Sequence, residues 1–258
     1  MTIRPGLCSV TFRQLTPEQI VDLAADAGLE TIEWGGDVHV PPGDAKRAAE
    51  VARLTTDAGL AVSSYGSYFR AGSDERLTPI LDSAEALGAD RIRVWAGSVD
   101  AADADEADWT AVIGRLTEAV AEASARGIRL SLEYHRRTLA PDPASTTRLL
   151  DAVPGLGTYW QPAVDAPDAQ ALREFAALTP RVDAVHVFSW WPAAERRRLH
   201  ERAGLWQGLF AAASALPEPP RDALLEFVPD DEPALLAAEA ATLRGWIAAA
   251  PEQNAPAR

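Results

Sequence analysis

Four polar residues occur one apiece near the ends of four predicted strands in the second half of the chain: Glu133 in RLSLEYH, Gln161 in GTYWQP, His186 in VDAVHVFS and Glu226 in DALLEFVP. Carboxylates and an imidazole in otherwise apolar strands are costly to bury unless something charged pairs with them. A shared divalent metal ion is the economical partner, since carboxylate, amide and imidazole atoms are all donors such ions accept. The alternative is that the glutamates form buried ion pairs with Arg93 or another basic group. With a metal present, the set suits proton removal from a carbon next to a carbonyl, because a cation offsets the negative charge that builds on the oxygen. Glu133 and Glu226 are then the catalytic pair, each a ligand and a general base or acid.

Further residues could complete a pocket around that centre. His135 lies two residues beyond Glu133 and could hydrogen-bond a substrate hydroxyl. Glu33 and His39, with Asp37 between them, follow the second predicted strand, and Arg93 on the fourth could hold Glu33 or a substrate oxyanion. The chain has eight tryptophans, of which Trp34, Trp95, Trp160, Trp190 and Trp191 fall near strand ends. Aromatic faces pack on the C–H faces of sugars and cyclic polyols, so Trp95, Trp160 and Trp190 join the candidate substrate-binding set. The basic run Arg196-Arg197-Arg198 reads as a surface turn or as a clamp for a substrate phosphate or carboxylate.

The elements that must position these groups alternate at a spacing of about 30 residues, as expected of strand-helix units. Candidate strands cover 6–12, 30–36, 61–68, 91–97, 129–135, 157–163, 182–189 and 222–229. Candidate helices cover 17–27, 44–58, 73–87, 108–126, 145–152, 168–177, 200–214 and 233–248, each with apolar residues at helical spacing. Thr16-Pro17-Glu18 opens the first helix with an N-cap followed by proline, and Gly28, Gly59, Gly88 and Gly127 fall where helices should end. Eight unbroken strand-helix units predict a single (β/α)8 TIM barrel over residues 1–250, with 251–258 a disordered tail. An open doubly wound sheet is disfavoured, because no Gly-x-Gly-x-x-Gly loop follows the first strand.

Strand alternation tests whether the four residues can converge. Ser131, Glu133 and His135 share one face against Leu130, Leu132 and Tyr134; Ala184, His186 and Phe188 oppose Val185 and Val187. Gln161 shares its face with Tyr159, and Glu226 lies opposite Leu225 and Phe227. All four residues can therefore point into the barrel near its C-terminal rim.

Composition narrows the partners. A net charge of −14 and four histidines argue against a nucleic-acid partner and against a multi-zinc endonuclease of the same superfold. The single cysteine, Cys8, cannot form an internal disulfide. The N-terminus lacks a signal-peptide stretch, and no run approaches the roughly 20 apolar residues of a membrane span. A cytoplasmic location without a membrane partner is expected, with homo-oligomerisation left open.

In GLETIEWGGDVHVP, ALGADRIRVWAG, SLEYH, YWQP, VHVFSWWP and LLEFVPDD, in their order and spacing, the chain resembles the sugar phosphate isomerase/epimerase family of xylose isomerase-like barrels over essentially its whole length. That resemblance implies a divalent ion, commonly Mn²⁺, held by Glu, Asp, His and Glu on strands five to eight, with Mg²⁺, Co²⁺ and Zn²⁺ as alternatives. Glu133, His186 and Glu226 match the first, third and fourth positions. Gln161 stands where Asp is usual, which leaves two carboxylates in place of three; Asp165 is the substitute to consider. The expected function is isomerisation or epimerisation of a sugar, inosose or related polyhydroxy carbonyl compound through an enediolate. The alternatives are a lyase (dehydratase) using the same enolate chemistry and a noncatalytic ligand-binding barrel with a weakened metal site.

Overall fold

The computed structural model describes residues 3–179 and 181–250, and the tail expected over 251–258 lies outside them. Eight parallel strands close into a barrel: β1 (Arg4–Cys8), β2 (Thr31–Gly35), β3 (Ala61–Gly66), β4 (Arg91–Val94), β5 (Arg129–Glu133), β6 (Gly157–Trp160), β7 (Val182–Val187) and β8 (Asp222–Leu225). Each pairs with its sequence neighbours, and β8 closes on β1 through Arg4–Asp222 to Leu7–Leu225. Helices follow each strand: α1 (Pro17–Asp26), α2 (Ala45–Asp57), α3 (Thr78–Leu87), α4 (Glu106–Ser124), α5 (Pro143–Ala152), α6 (Asp168–Leu178), α7 (Ala203–Ser214) and α8 (Leu236–Ala249). None of the described helices is long and apolar enough to cross a membrane.

Local chemistry explains the helix starts. A reciprocal capping box between Thr16 and Gln19 opens α1, with Pro17 at the first helical position. Asp105 and Asp108 do the same for α4, whose first turn carries Glu106 and Asp108 toward the positive end of the helix dipole. At the end of α3, Gly88 takes the left-handed conformation (φ 75°) that closes the last turn at little steric cost.

The expected strands run too far toward their C-terminal ends, because the chain leaves the ladder at the rim to build loops. The clearest difference is at the first strand: the sequence pattern extends it through Phe12, yet Ser9–Phe12 form a 3₁₀ turn. That turn ties three strands together. The Ser9 hydroxyl accepts from the Gly35 N–H at 2.8 Å, and the Thr11 hydroxyl accepts from the Phe227 N–H at 3.0 Å.

Two apolar layers result from the alternation. The large one, between sheet and helices, includes Leu130, Leu132, Val185, Val187 and Trp160; a small one fills the barrel with Cys8, Val10, Tyr159, Ala184 and Leu224. Packing inside is tight enough that a Cβ on Gly6 would stand 2.5 Å from Thr31 Cγ2 and 2.7 Å from Leu224 Cδ2. At the N-terminal end, charged side chains replace apolar ones. Fully buried Asp222 accepts from Arg4 Nε (2.7 Å), Arg91 Nη2 (2.7 Å) and the Ser63 hydroxyl (2.8 Å), which joins β1, β3, β4 and β8 beneath the core. Removing one partner of such a buried set strands the others without their counter-charge. Asp222→Ala should therefore lower the unfolding free energy by about 3–5 kcal/mol in a denaturant titration, and a loss below ~1 kcal/mol would show that the network does not brace the barrel floor.

Candidate active site

The C-terminal rim surrounds a cavity of about 540 Å³ lined by Arg93, Trp95, Glu133, His135, Gln161 and Glu226, with Arg13, Tyr68, Phe188, Trp190 and Phe227 around the mouth. Glu133 ends β5, Gln161 follows β6 directly, His186 is the penultimate residue of β7 and Glu226 follows β8. The structure brings these four together. Ligand atoms of Glu133, His186 and Glu226 lie within 4.8 Å of one another, and His186 Nδ1 is 3.0 Å from Gln161 Oε1 and 3.4 Å from Glu226 Oε2.

Arg93 ties the carboxylates down. Its Nε donates to Glu33 Oε1 at 3.1 Å and its Nη1 to Glu133 Oε2, an oxygen that also accepts from the Trp95 indole N–H. The ion pair foreseen as the alternative is thus present, and Glu133 still keeps its second oxygen out of that pair. Glu33 is almost completely buried beneath the cavity, where it also accepts from the Ser64 hydroxyl at 2.7 Å and faces His186 Nε2 at 3.7 Å. It stands on the far side of the imidazole from Gln161, so it is a support of the site and does not line the substrate space.

The electrostatics follow from these contacts. Burial pushes the Glu33 and Glu133 carboxyls up, but the Arg93 guanidinium and, behind it, His186 outweigh that and hold both below the ordinary carboxylate range. Burial raises Glu226; His186 opposes the shift and the nearby Glu133 charge reinforces it, leaving the net direction upward. Burial would lower His186, but Glu226 and Glu33 on its two sides raise it.

These donors fit a divalent cation. Three glutamates against one arginine leave two uncompensated negative charges when the imidazole is neutral, as a metal ligand must be, and a divalent ion balances them. His186 Nε2 is buried without a hydrogen bond and faces Glu33 at 3.7 Å, which leaves Nδ1, beside Gln161 and Glu226, as the nitrogen placed to meet an ion. A second group, Cys8, Glu33 and His186, also has ligand atoms within 4.8 Å of one another. It is less suited, because Arg93 already occupies Glu33 and burial pushes the Cys8 thiol well up.

Among the other residues singled out, His135, Arg93, Trp95 and Trp190 line the cavity, and His135 stacks on Trp95 with ring centroids 4.9 Å apart. His39 and Trp160 do not reach it. The His39 nitrogens face the Ser9 hydroxyl (3.0 Å) and the Leu15 carbonyl (3.2 Å), a packing role behind Trp34. Trp160 alternates with Tyr159 and so faces outward, against Phe175 and Trp206. Trp34 likewise points outward and donates to the Thr55 hydroxyl at 3.1 Å. Asp165 lines the mouth but accepts from the Ala193 N–H at 2.5 Å and belongs to neither ligand cluster. Phe227, assigned by alternation to the outer face, turns to the cavity because its φ of 59° breaks the strand geometry.

The basic run forms one side of a short hairpin pairing Ser189–Trp190 with Arg196–Arg197. Its charges are matched: Arg196 by Asp231 at 2.5 Å, Arg197 by Glu201 at 3.1 Å, and Arg198 by Glu239. Tyr68, Arg13 and Arg136 were not singled out from sequence, whereas alternation sets Phe188 on the His186 face; Tyr68 and Phe188 lie just past the ends of β3 and β7, where rim residues should be sought.

The model of the Xylose isomerase-like TIM barrel family matches residues 21–216, and the chain belongs to that family. No protein of curated function matches it in sequence. Among solved structures it is similar to the probable 3-DHS dehydratase AsbF of Bacillus anthracis (20% identity, TM-score 0.74, 94% of this chain and 99% of that one). It is similar also to a xylose isomerase-like TIM barrel protein of Mycobacterium smegmatis in complex with magnesium (16%, 0.70, 95% and 96%) and to an L-ribulose 3-epimerase (16%, 0.70, 95% and 93%). At these identities the likeness is one of fold.

If Gln161 is a ligand, Gln161→Asp should tighten divalent-metal binding in a calorimetric titration, since it adds a carboxylate to a site short of negative charge. Unchanged or weaker affinity would remove Gln161 from the ligand set.

Proposed function

We propose that the protein is a metal-dependent isomerase or epimerase acting on a polyhydroxy carbonyl compound by removing a proton next to the carbonyl. The observation that carries this reading is the convergence of Glu133, His186 and Glu226, with Gln161, at the floor of a cavity walled by aromatic rings. Glu133, Gln161, His186 and Glu226 would hold one divalent ion, Mn²⁺ by the donor set of oxygens and one imidazole. When bound, the ion supplies Lewis-acid stabilisation of the negative charge that develops on the substrate oxygen.

The chain's own groups divide the remaining work. Glu226 makes no arginine contact and neighbours His186 alone among the described ionisable partners within ion-pair distance, so its oxygens are the freer to take a proton from carbon. Glu133 has one oxygen fixed by Arg93 and Trp95; the other, once it has taken a proton from solvent, can return it to the opposite face of the carbon while Glu226 releases its own proton to water. Arg93 keeps the site's charge balanced as the proton moves, and Trp95, Phe188, Trp190 and Phe227 exclude water and pack on the substrate's C–H faces.

One observation favours the lyase reading as the second. His135 lines the cavity with its Nδ1 2.5 Å from the Arg136 carbonyl, which leaves Nε2 as the nitrogen free to meet a substrate oxygen. Such a group could protonate a departing β-hydroxyl, and the AsbF resemblance points the same way.

Glu133→Gln and Glu226→Gln should each cut exchange of a substrate C–H proton with solvent deuterium by roughly 10²–10⁴-fold while leaving the fold intact. Wild-type exchange in either variant with metal bound would reduce that residue to a structural ligand. Retained exchange in His135→Asn, with loss of a conjugated carbonyl product seen by ultraviolet absorbance, would decide for the lyase.

A further inference from the structure

The cations that line the cavity or pack on its aromatic lining fall into two kinds. Arg13 pairs with Asp37 at 2.5 Å, Arg93 with Glu33 and Glu133, and Arg196 with Asp231 at 2.5 Å, so each has its charge met by a carboxylate. Arg136 and Arg70 differ. Arg136 is exposed, lines the cavity, and has no carboxylate in ion-pair range among the described residues. Arg70 stands behind the lining, its guanidinium carbon 3.7 Å from the Trp95 ring centroid; its side chain donates to the Gly97 carbonyl at 3.4 Å, and Glu75 and Glu133 are the acids whose charges reach it. In a chain of net charge −14, an arginine without an acid that lines the cavity mouth calls for an anionic visitor.

That wall is firmly built. The Trp95 ring packs against both the Arg70 guanidinium and the His135 imidazole, while its indole N–H holds Glu133. Behind His135 the segment to Ala140 is closed by the His135 N–H on the Ala140 carbonyl (2.9 Å) and the Thr138 hydroxyl on the His135 carbonyl (2.6 Å). The Arg137 N–H is anchored on Asp100 Oδ2 at 3.0 Å. Arg136 is thus set at the mouth by backbone bonds on both sides, on a wall that begins at a candidate ligand. Once a divalent ion balances the floor, the Arg136 charge at the mouth remains unmatched among the described residues.

We infer that the substrate carries an anionic group, a carboxylate or a phosphate monoester, that Arg136 receives at the mouth with Arg70 adding to the local potential. This rests on the reading of the cavity as a metal-dependent site for a polyhydroxy carbonyl compound and narrows its substrate class. The acidic surface elsewhere makes such a wall selective, since the anion finds attraction at this mouth and repulsion around it.

The test is a calorimetric titration of the metal-loaded protein with three probes: a carboxylated polyhydroxy cyclohexanone, a ketose phosphate and a neutral ketose. One of the two anionic probes should bind about tenfold more tightly than the neutral one, as a charged hydrogen bond allows, and which of them does so separates carboxylate from phosphate. The advantage should shrink between about 0.05 and about 0.5 M salt, as the Debye length contracts, and vanish in Arg136→Gln, an exposed position where the fold is preserved. Equal or tighter binding of the neutral probe, no binding of any probe, or an anionic preference that survives in Arg136→Gln would overturn the inference. Deuterium exchange keeps the two readings apart: exchange with the neutral ketose alone sinks this inference and leaves the proposed function, whereas anionic binding without exchange does the reverse.

Discussion

Three carboxylates and an imidazole share the interior of one barrel, and their desolvation is the constraint to which the rest of the site answers. An isolated buried carboxylate costs several kcal/mol even after relaxation. Arg93 offsets part of this by contacting two of the three acids from a single strand; Ser64 donates to the other oxygen of Glu33, and Trp95 to the Glu133 oxygen that Arg93 also holds. Glu226 lacks such a partner, and burial leaves its carboxyl raised. The residual imbalance of two negative charges is the physical reason to expect a cation.

The barrel makes that arrangement affordable to the fold. Parallel strands place every second residue inside, so Glu33, Arg93, Glu133 and His186 meet although they are far apart in sequence, while the alternate residues bury an apolar layer under the helices. Charges are confined to the two ends: the Arg91–Asp222 network beneath and the ligand cluster above, with Tyr159, Ala184 and Leu224 between them. Stability and chemistry are thereby assigned to opposite ends of one barrel.

Strand parity made the centre legible in the sequence. Because side chains alternate strictly, the positions of Glu133, His186 and Glu226 relative to apolar neighbours sufficed to direct them inward, and the same rule, which sets Gln161 with Tyr159, sends Trp160 outward against its candidacy as a substrate contact. What parity cannot reach is the backbone beyond the ladder. Phe227 enters the cavity through a positive φ, His39 is withdrawn by a turn that sets it against Ser9, and the segment 9–12 abandons a strand-like pattern for a 3₁₀ turn. Arg136 was likewise invisible, since its significance lies in the acid it does not meet, a property of tertiary arrangement rather than of local pattern.

The central claim is a divalent ion shared by Glu133, Gln161, His186 and Glu226, and anomalous scattering from crystals grown with Mn²⁺ addresses it most directly. The account predicts one strong anomalous peak bounded by donor atoms of these residues at about 2.0–2.6 Å. No peak in the cavity, or a peak from which the four side chains stand more than roughly 4 Å away, well beyond any metal–ligand bond, would contradict it.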